Sequence, residues 1–217
     1  MIKLLNAVFA FSFKFYFWMK YRIFRNPLFR FIQKMFHYHY LRYFGVDTEF
    51  GYVTLVGLPI IDRCSGSKIR IEKGVTLVSK SEGNVAGINH PVILATLAPG
   101  ASIRIEQGCG LSGSSVCAVK SVVIEEKTGL GVNTSIYDTD FHSVDRTAER
   151  PESIGDARAK SVKIGRRAWV GANSLILKGV SIGEGTVIGA GSVVITDVEE
   201  FAIAAGNPAK VIRKIRP

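Results

Sequence analysis

The chain has 217 residues, 47% of them hydrophobic, with 28 Lys and Arg against 18 Asp and Glu for a net charge of +10. That length bounds it to one domain with an appendage. Its three cysteines, Cys64, Cys109 and Cys117, are odd in number and lack CxxC spacing, which argues against a disulfide framework and for a reducing compartment.

Residues 1–44 hold eight cations (Lys3, Lys14, Lys20, Arg22, Arg25, Arg30, Lys34, Arg42), no acid, and 16 of the 22 aromatics. The segment reads as one or two helices broken near Asn26-Pro27. Its longest uncharged run, 4–13, falls short of the ~20 residues a membrane-spanning helix needs. No small-x-small cleavage site marks a signal peptide. Basic residues interleaved with Phe, Tyr and Trp suit a segment lying on the anionic inner face of the cell membrane. They equally suit an appendage packed on the domain behind it, or a subunit contact. No nucleic-acid module is recognisable.

Residues 45–68 read as a transition with β-prone runs at 52–56 and 59–61. From 69 to 198 the chain keeps a period of six. Ile164, Val170, Ile176, Ile182, Ile188 and Val194 are spaced by six without a miss. Four residues after each stands a small or β-branched residue: Ala168, Ser174, Val180, Thr186, Ser192, Val198. The phase recurs at Ile71 and Leu77, at Ile105, Leu111 and Cys117, and at Ile124, Leu130 and Ile136. A period of six fits neither a helix face nor a two-sided strand. It predicts an all-β fold, a parallel β-helix of hexapeptide repeats whose three-hexad coils stack the aliphatic side chains inward. In that phase Cys109 and Cys117 are expected to be buried thiols.

Two insertions, 81–100 and 137–161, interrupt the repeat, and insertions on a rigid scaffold are where specific chemistry is mounted. The tail, 199–217, leaves the period and carries Lys210, Arg213, Lys214 and Arg216. Of four histidines, His37 and His39 sit in the aromatic appendage and read as structural. His90 lies in the first insertion. His142 opens the second, flanked by Asp138, Asp140 and Asp145. A neutral imidazole is the natural general base for a hydroxyl.

The strings Val162-Lys163-Ile164-Gly165, Ala168-Trp169-Val170-Gly171-Ala172-Asn173, Ile188-Gly189-Ala190-Gly191-Ser192 and above all Ala205-Gly206-Asn207-Pro208-Ala209-Lys210-Val211-Ile212-Arg213 carry a resemblance. They resemble the hexapeptide-repeat acyltransferases, in the sugar O-acetyltransferase branch of maltose, galactoside and capsule-modifying enzymes. The close match covers about a quarter of the chain. Asn89-His90-Pro91, Gly110-Leu111-Ser112-Gly113 and Asp138-Thr139-Asp140-Phe141-His142 look like the polysaccharide-modifying members. The resemblance implies a left-handed β-helix, a homotrimer, and acetyl-CoA bound between subunits, with no metal.

It also implies roles. His142 falls on the general base, the Ala172 N–H on the oxyanion donor, and Trp169 on the cofactor groove. Ala190 and Thr196 would line the pantetheine, and Lys210 and Arg213 would meet the CoA phosphates. By position, His90, Ser112, Ser114, Asp138 and Asp140 are candidates for holding the acceptor. Lys178 and Asp197 depart from the pattern, which often has a turn residue and a cation there. The expected activity is acetyl transfer to a sugar hydroxyl, in a surface polysaccharide or its precursor, in the cytoplasm. N-acyl transfer to serine or an amino sugar is the alternative within enzymes. A γ-class carbonic anhydrase would need three zinc-binding histidines, and only His90 and His142 lie near the repeats. A non-enzymatic scaffold would have no use for a cofactor groove.

Overall fold

The computed structural model describes residues 26–142 and 158–215. Residues 1–25 and the middle of the second insertion, with Asp145, lie outside them. The break at Asn26-Pro27 is the start of helix α1 (Pro27–Tyr43). The Asn26 side chain accepts from Leu28 N at 2.9 Å and Phe29 N at 3.4 Å, and Pro27 takes the first helical position, where its missing N–H is no loss. Gly45, at φ +74°, ends the helix.

Three parallel sheets then form the faces of a prism. The first stacks β1 (Val46–Asp47), β4 (Lys68–Ile71), β7 (Ser102–Ile105), β10 (Ser121–Ile124), β13 (Val162–Ile164) and β16 (Ser181–Ile182). The second stacks β2 (Thr54–Val56), β5 (Thr76–Val78), β8 (Gly110–Ser112), β11 (Gly129–Leu130), β14 (Trp169–Val170), β17 (Val187–Ile188), β19 (Ala202–Gly206) and β20 (Ala209–Lys214). The third stacks β3 (Ile60–Arg63), β6 (Ile93–Thr96), β9 (Ser115–Ala118), β12 (Ser135–Tyr137), β15 (Leu175–Ile176) and β18 (Val193–Val194). Each coil contributes one strand to each face. Every neighbour is parallel except β20, which turns back antiparallel on β19 and closes the end.

The six-residue period becomes three aliphatic columns, because residues one coil apart are direct partners. Ile164 pairs with Ile182, Val170 with Ile188 and Ile176 with Val194. Each is at most 1% exposed. Burying such side chains contributes about 1.5–3 kcal/mol apiece relative to leaving them in water. Coil-to-coil bonds such as Gly165 N to Ile182 O at 2.7 Å and Gly171 N to Ile188 O at 2.8 Å satisfy the backbone. This is the left-handed β-helix architecture expected, with the helix added at its N-terminal end.

Three details differ from the expectation. Residues 45–68 are the first coil rather than a transition: β1 pairs with β4, β2 with β5 and β3 with β6. Within the first insertion, 93–96 is strand β6, paired on both sides, so only the stretch before it leaves the coil. The third inward residue of its coil is Val116, paired with Ile136, and not Cys117. The corner at Gly113 is one residue tight, which moves Val116 inward, and Cys117 is half-buried. Cys109 is buried as expected.

Candidate active site

The corner joining the second face to the third is built for close approach. A Cβ at Gly171 would lie 2.4 Å from the Ala190 nitrogen, and one at Gly131 would lie 2.6 Å from the Ala172 nitrogen. Glycine is required there because backbone meets backbone. Asn133 and Asn173 follow in the left-handed region, at φ +59° and +57°, which Asn tolerates better than most residues. Their side chains stack, with Asn133 Nδ2 donating to Asn173 Oδ1 at 3.3 Å.

Trp169 stands just before this corner on β14, 53% exposed. Its indole lies over Gly129 of the preceding coil, where a Cβ would come within 2.6 Å of the ring. Among the described residues, the Ala172 N–H has no acceptor. The equivalent Val132 and Ala190 N–H groups share that property, so it belongs to the corner and is not peculiar to Ala172.

The first insertion lies along the same corner. Asn89 N donates to Asn133 Oδ1 at 2.9 Å, and Asn133 Nδ2 donates to Gly87 O at 3.1 Å. His90 is half-buried, its Nδ1 donating to Pro91 O at 2.8 Å. Ser112 is half-buried, and a Cβ on its neighbour Gly113 would lie 3.0 Å from the His90 carbonyl oxygen. Ser114 is fully buried and donates to Ser112 O at 3.3 Å, so it is closed to an acceptor.

The opposite corner, from the third face to the first, carries the second insertion. Asp138 leaves β12 turned inward and fully buried. Its two carboxylate oxygens accept from Val119 N and Lys120 N, each at 2.7 Å. Burial pushes its carboxyl above the usual carboxylate range, against the pull of those donors. Asp138 is thus a clamp on the neighbouring coil and not a contact for an acceptor. Asp140 is held by Lys178 Nζ through Oδ1, while its Oδ2 is buried without a hydrogen-bond partner among the described residues. Phe141 sits at φ +60° and meets the Tyr137 ring edge-on, with centroids 5.1 Å apart. His142 follows, exposed. Thr196 lies past β18 on this same corner, also exposed.

His142 and Ala172 therefore stand at opposite edges of the third face. Strand β12 between them is three residues long, and at ~3.3 Å per residue the corners are on the order of 10 Å apart. Ala190 shares the edge of Ala172. Lys210 and Arg213 are exposed on β20, opposite Ala205 and Ile203. Burial pushes the Cys109 and Cys117 thiols up to about 11, aided at Cys117 by the Asp138 charge, so neither is poised as a thiolate nucleophile. Among the described residues no group of three His, Cys, Asp or Glu could hold a metal ion. Asn133, Asn173 and Gly129 were not singled out from the sequence, although the repeated Gly-x-Asn at 131–133 and 171–173 was a visible signal.

Residues 161–196 match the family described as bacterial transferase hexapeptide (six repeats). A candidate acetyltransferase of Saccharomyces cerevisiae is 47% identical over 94 residues, covering 43% of this chain and 46% of that protein. The chain spans less than half the length of the curated relatives it matches. Among solved structures, a mutant of AntD, an N-acyltransferase from Bacillus cereus in complex with dTDP and coenzyme A, superposes with a TM-score of 0.59 at 16% identity. It covers 82% of this chain and 89% of that one. A hexapeptide-repeat acetyltransferase of Vibrio cholerae complexed with acetyl coenzyme A gives 0.50 at 21% identity, over 82% and 75% of the two chains. Residues 161–196 thus match bacterial transferase hexapeptide repeats, and the chain shares the β-helix fold of these solved structures.

Proposed function

We propose that the protein transfers the acetyl group of acetyl-CoA to a hydroxyl of a sugar, in a surface polysaccharide or its precursor, on the cytoplasmic side of the cell. The observation that carries this reading is the Trp169–Ala172 corner. An exposed indole packs against a glycine beside an N–H with no acceptor among the described residues, on repeats like those of bacterial transferases.

In this reading His142 takes the proton of the acceptor hydroxyl as its oxygen attacks the thioester carbonyl. General-base assistance of this kind contributes ~10²–10⁴ in rate. The Ala172 N–H donates to the oxyanion that forms, a contact that can contribute ~10²–10³. The C–S bond then breaks, and the imidazolium returns its proton to the CoA thiolate. Trp169, Ala190 and Thr196 line the pantetheine path, and Lys210 and Arg213 meet the phosphates by charge-assisted hydrogen bonds. The acceptor is held by His90, Ser112 and the Asp140 loop. Ser114 and Asp138 are left out of that role in this reading because both are buried.

The separation of His142 from Ala172 within one chain fits a homotrimer, in which the base of one subunit faces the Ala172 corner of the next. His142→Ala is expected to lower kcat at least about a hundredfold with acetyl-CoA affinity unchanged, the signature of a group acting in the transition state. Wild-type kcat in that variant would reject the assignment. Acceptor screens with paired hydroxyl and amino sugars test the chemistry; acetylation of the amine alone would establish N-acyl transfer instead.

A further inference from the structure

Helix α1 is built inside out. A surface helix normally turns its apolar stripe toward the core and its charges toward water. Here Gln33, Lys34 and His37 face the first coil and, with Arg30, Val53 and Thr54, line a recess there. His37 accepts from Leu55 N at 3.4 Å, and Tyr40 donates to Pro59 O at 2.6 Å, so the orientation is fixed by specific bonds. Burial lowers the His37 pKa, as suits an imidazole nitrogen acting as acceptor. Leu41, fully buried, anchors the last turn.

The opposite side of the helix carries Leu28, Phe31, Ile32, Met35 and Phe36, spaced by three and four, with exposures of 65, 51, 54, 38 and 55%. Phe50 extends the patch onto the β-helix, its ring 5.8 Å from Phe31 and 5.6 Å from Tyr38. A continuous apolar strip of this kind marks an interaction site.

We propose that this outward face of α1 lies in the interfacial layer of an anionic lipid bilayer, holding the β-helix against the membrane without spanning it. Charge selects this occupant. Residues 1–44 carry eight cations and no carboxylate, so a second copy seated here would press like charges together. Anionic headgroups instead attract each basic residue near the surface. The apolar side chains of an amphipathic helix reach only the boundary of the acyl chains, which suits five side chains on three turns. Residues 1–25 add nine aromatics and five cations, chemistry that favours the same interface. Among the described residues no helix is long and apolar enough to cross a membrane.

The test is sedimentation of the full chain with vesicles. One set is phosphatidylcholine containing about one third phosphatidylglycerol, the other phosphatidylcholine alone. The protein is expected to partition onto the anionic set at least about tenfold more strongly, and less so as salt rises. Phe31→Ser/Ile32→Ser/Phe36→Ser is expected to lower that partitioning at least about tenfold while the thermal transition of the β-helix is kept. Leu28→Ser/Met35→Ser serves the same purpose should the triple variant not fold. Equal partitioning of variant and wild type overturns the proposal, as does failure of the wild type to bind either vesicle. A fall in oligomer mass by light scattering in the variants would assign the face to a second copy and overturn it as well.

Discussion

Asp140 has one oxygen held by Lys178 and the other buried with no donor among the described residues. Lys178 occupies a corner where a turn residue is common, and its ammonium crosses to the preceding coil to tether the loop that carries His142. In the proposed mechanism Lys178 acts through that loop as a positioning residue. Lys178→Met is expected to lower kcat between about tenfold and a hundredfold, since misplacing a catalytic group by about an ångström has effects of that size. Acetyl-CoA KM should stay within about twofold, and Lys178→Arg should recover most of the loss. An equal fall in thermal stability and activity, not recovered by Arg, would make the pair merely structural. The sequence displayed Lys178 only as a departure from a pattern. Its partner became visible once the coil stacked 178 beside 140.

At the scale of the element, the hexad works because the glycine column lets successive corners touch. Gly171→Ala would drive a Cβ to 2.4 Å from the Ala190 nitrogen, and the neighbour is backbone that cannot rotate away. The expected destabilisation is on the order of 3 kcal/mol, seen as a fall of roughly 5–10 °C in Tm. An unchanged Tm would mean the coils are free to separate at this corner. Gly191, where an added Cβ meets nothing within 4 Å, is the internal control for space, although its φ of +69° still disfavours a side chain. The hexad glycines were legible in the sequence, and so were the corners at 131–133 and 171–173. The tight corner at Gly113 was not, because a single five-residue step is indistinguishable from a lapse in the repeat until strand register fixes Val116 opposite Ile136.

At the scale of the molecule, the proposed base and the proposed oxyanion donor stand at the two edges of the third face. A site that joins base and oxyanion donor from neighbouring subunits can be tested by complementation. His142→Ala and Ala172→Pro, the latter chosen to remove the N–H, should each be nearly inactive as pure oligomers. Refolded together in equal amounts, they should recover about a quarter of wild-type activity, because in a cyclic trimer one interface in four pairs an intact base with an intact donor. No recovery in mixed oligomers of confirmed mass would place both groups in one subunit's site. Helix α1 lies at the opposite end of the prism from the β19–β20 hairpin, so the proposed docking there leaves the later coils exposed to solvent.

The sequence by itself determined the architecture. A strict six-residue period of aliphatics from Ile164 to Val194 has one low-energy solution, stacked three-stranded coils, because only there does every sixth side chain find the same apolar column. It also singled out His142, Trp169 and Ala172 as the residues to examine. Tertiary structure alone decided which polar residues face outward. Ser114 and Asp138 share the polar character of Ser112 and Asp140, but they stand where the chain turns into a corner, and the backbone N–H groups of the adjacent coil claim Asp138. It alone showed that His142 and Ala172 occupy separate edges, and that 45–68 already forms a coil. Above all, it set the direction of α1. Composition left that segment equally suited to packing or to a membrane, since the faces of a helix rich in aromatics on every side are assigned only by what it packs against. The bonds of His37 and Tyr40 to the first coil made that assignment and turned Phe31, Ile32 and Phe36 outward.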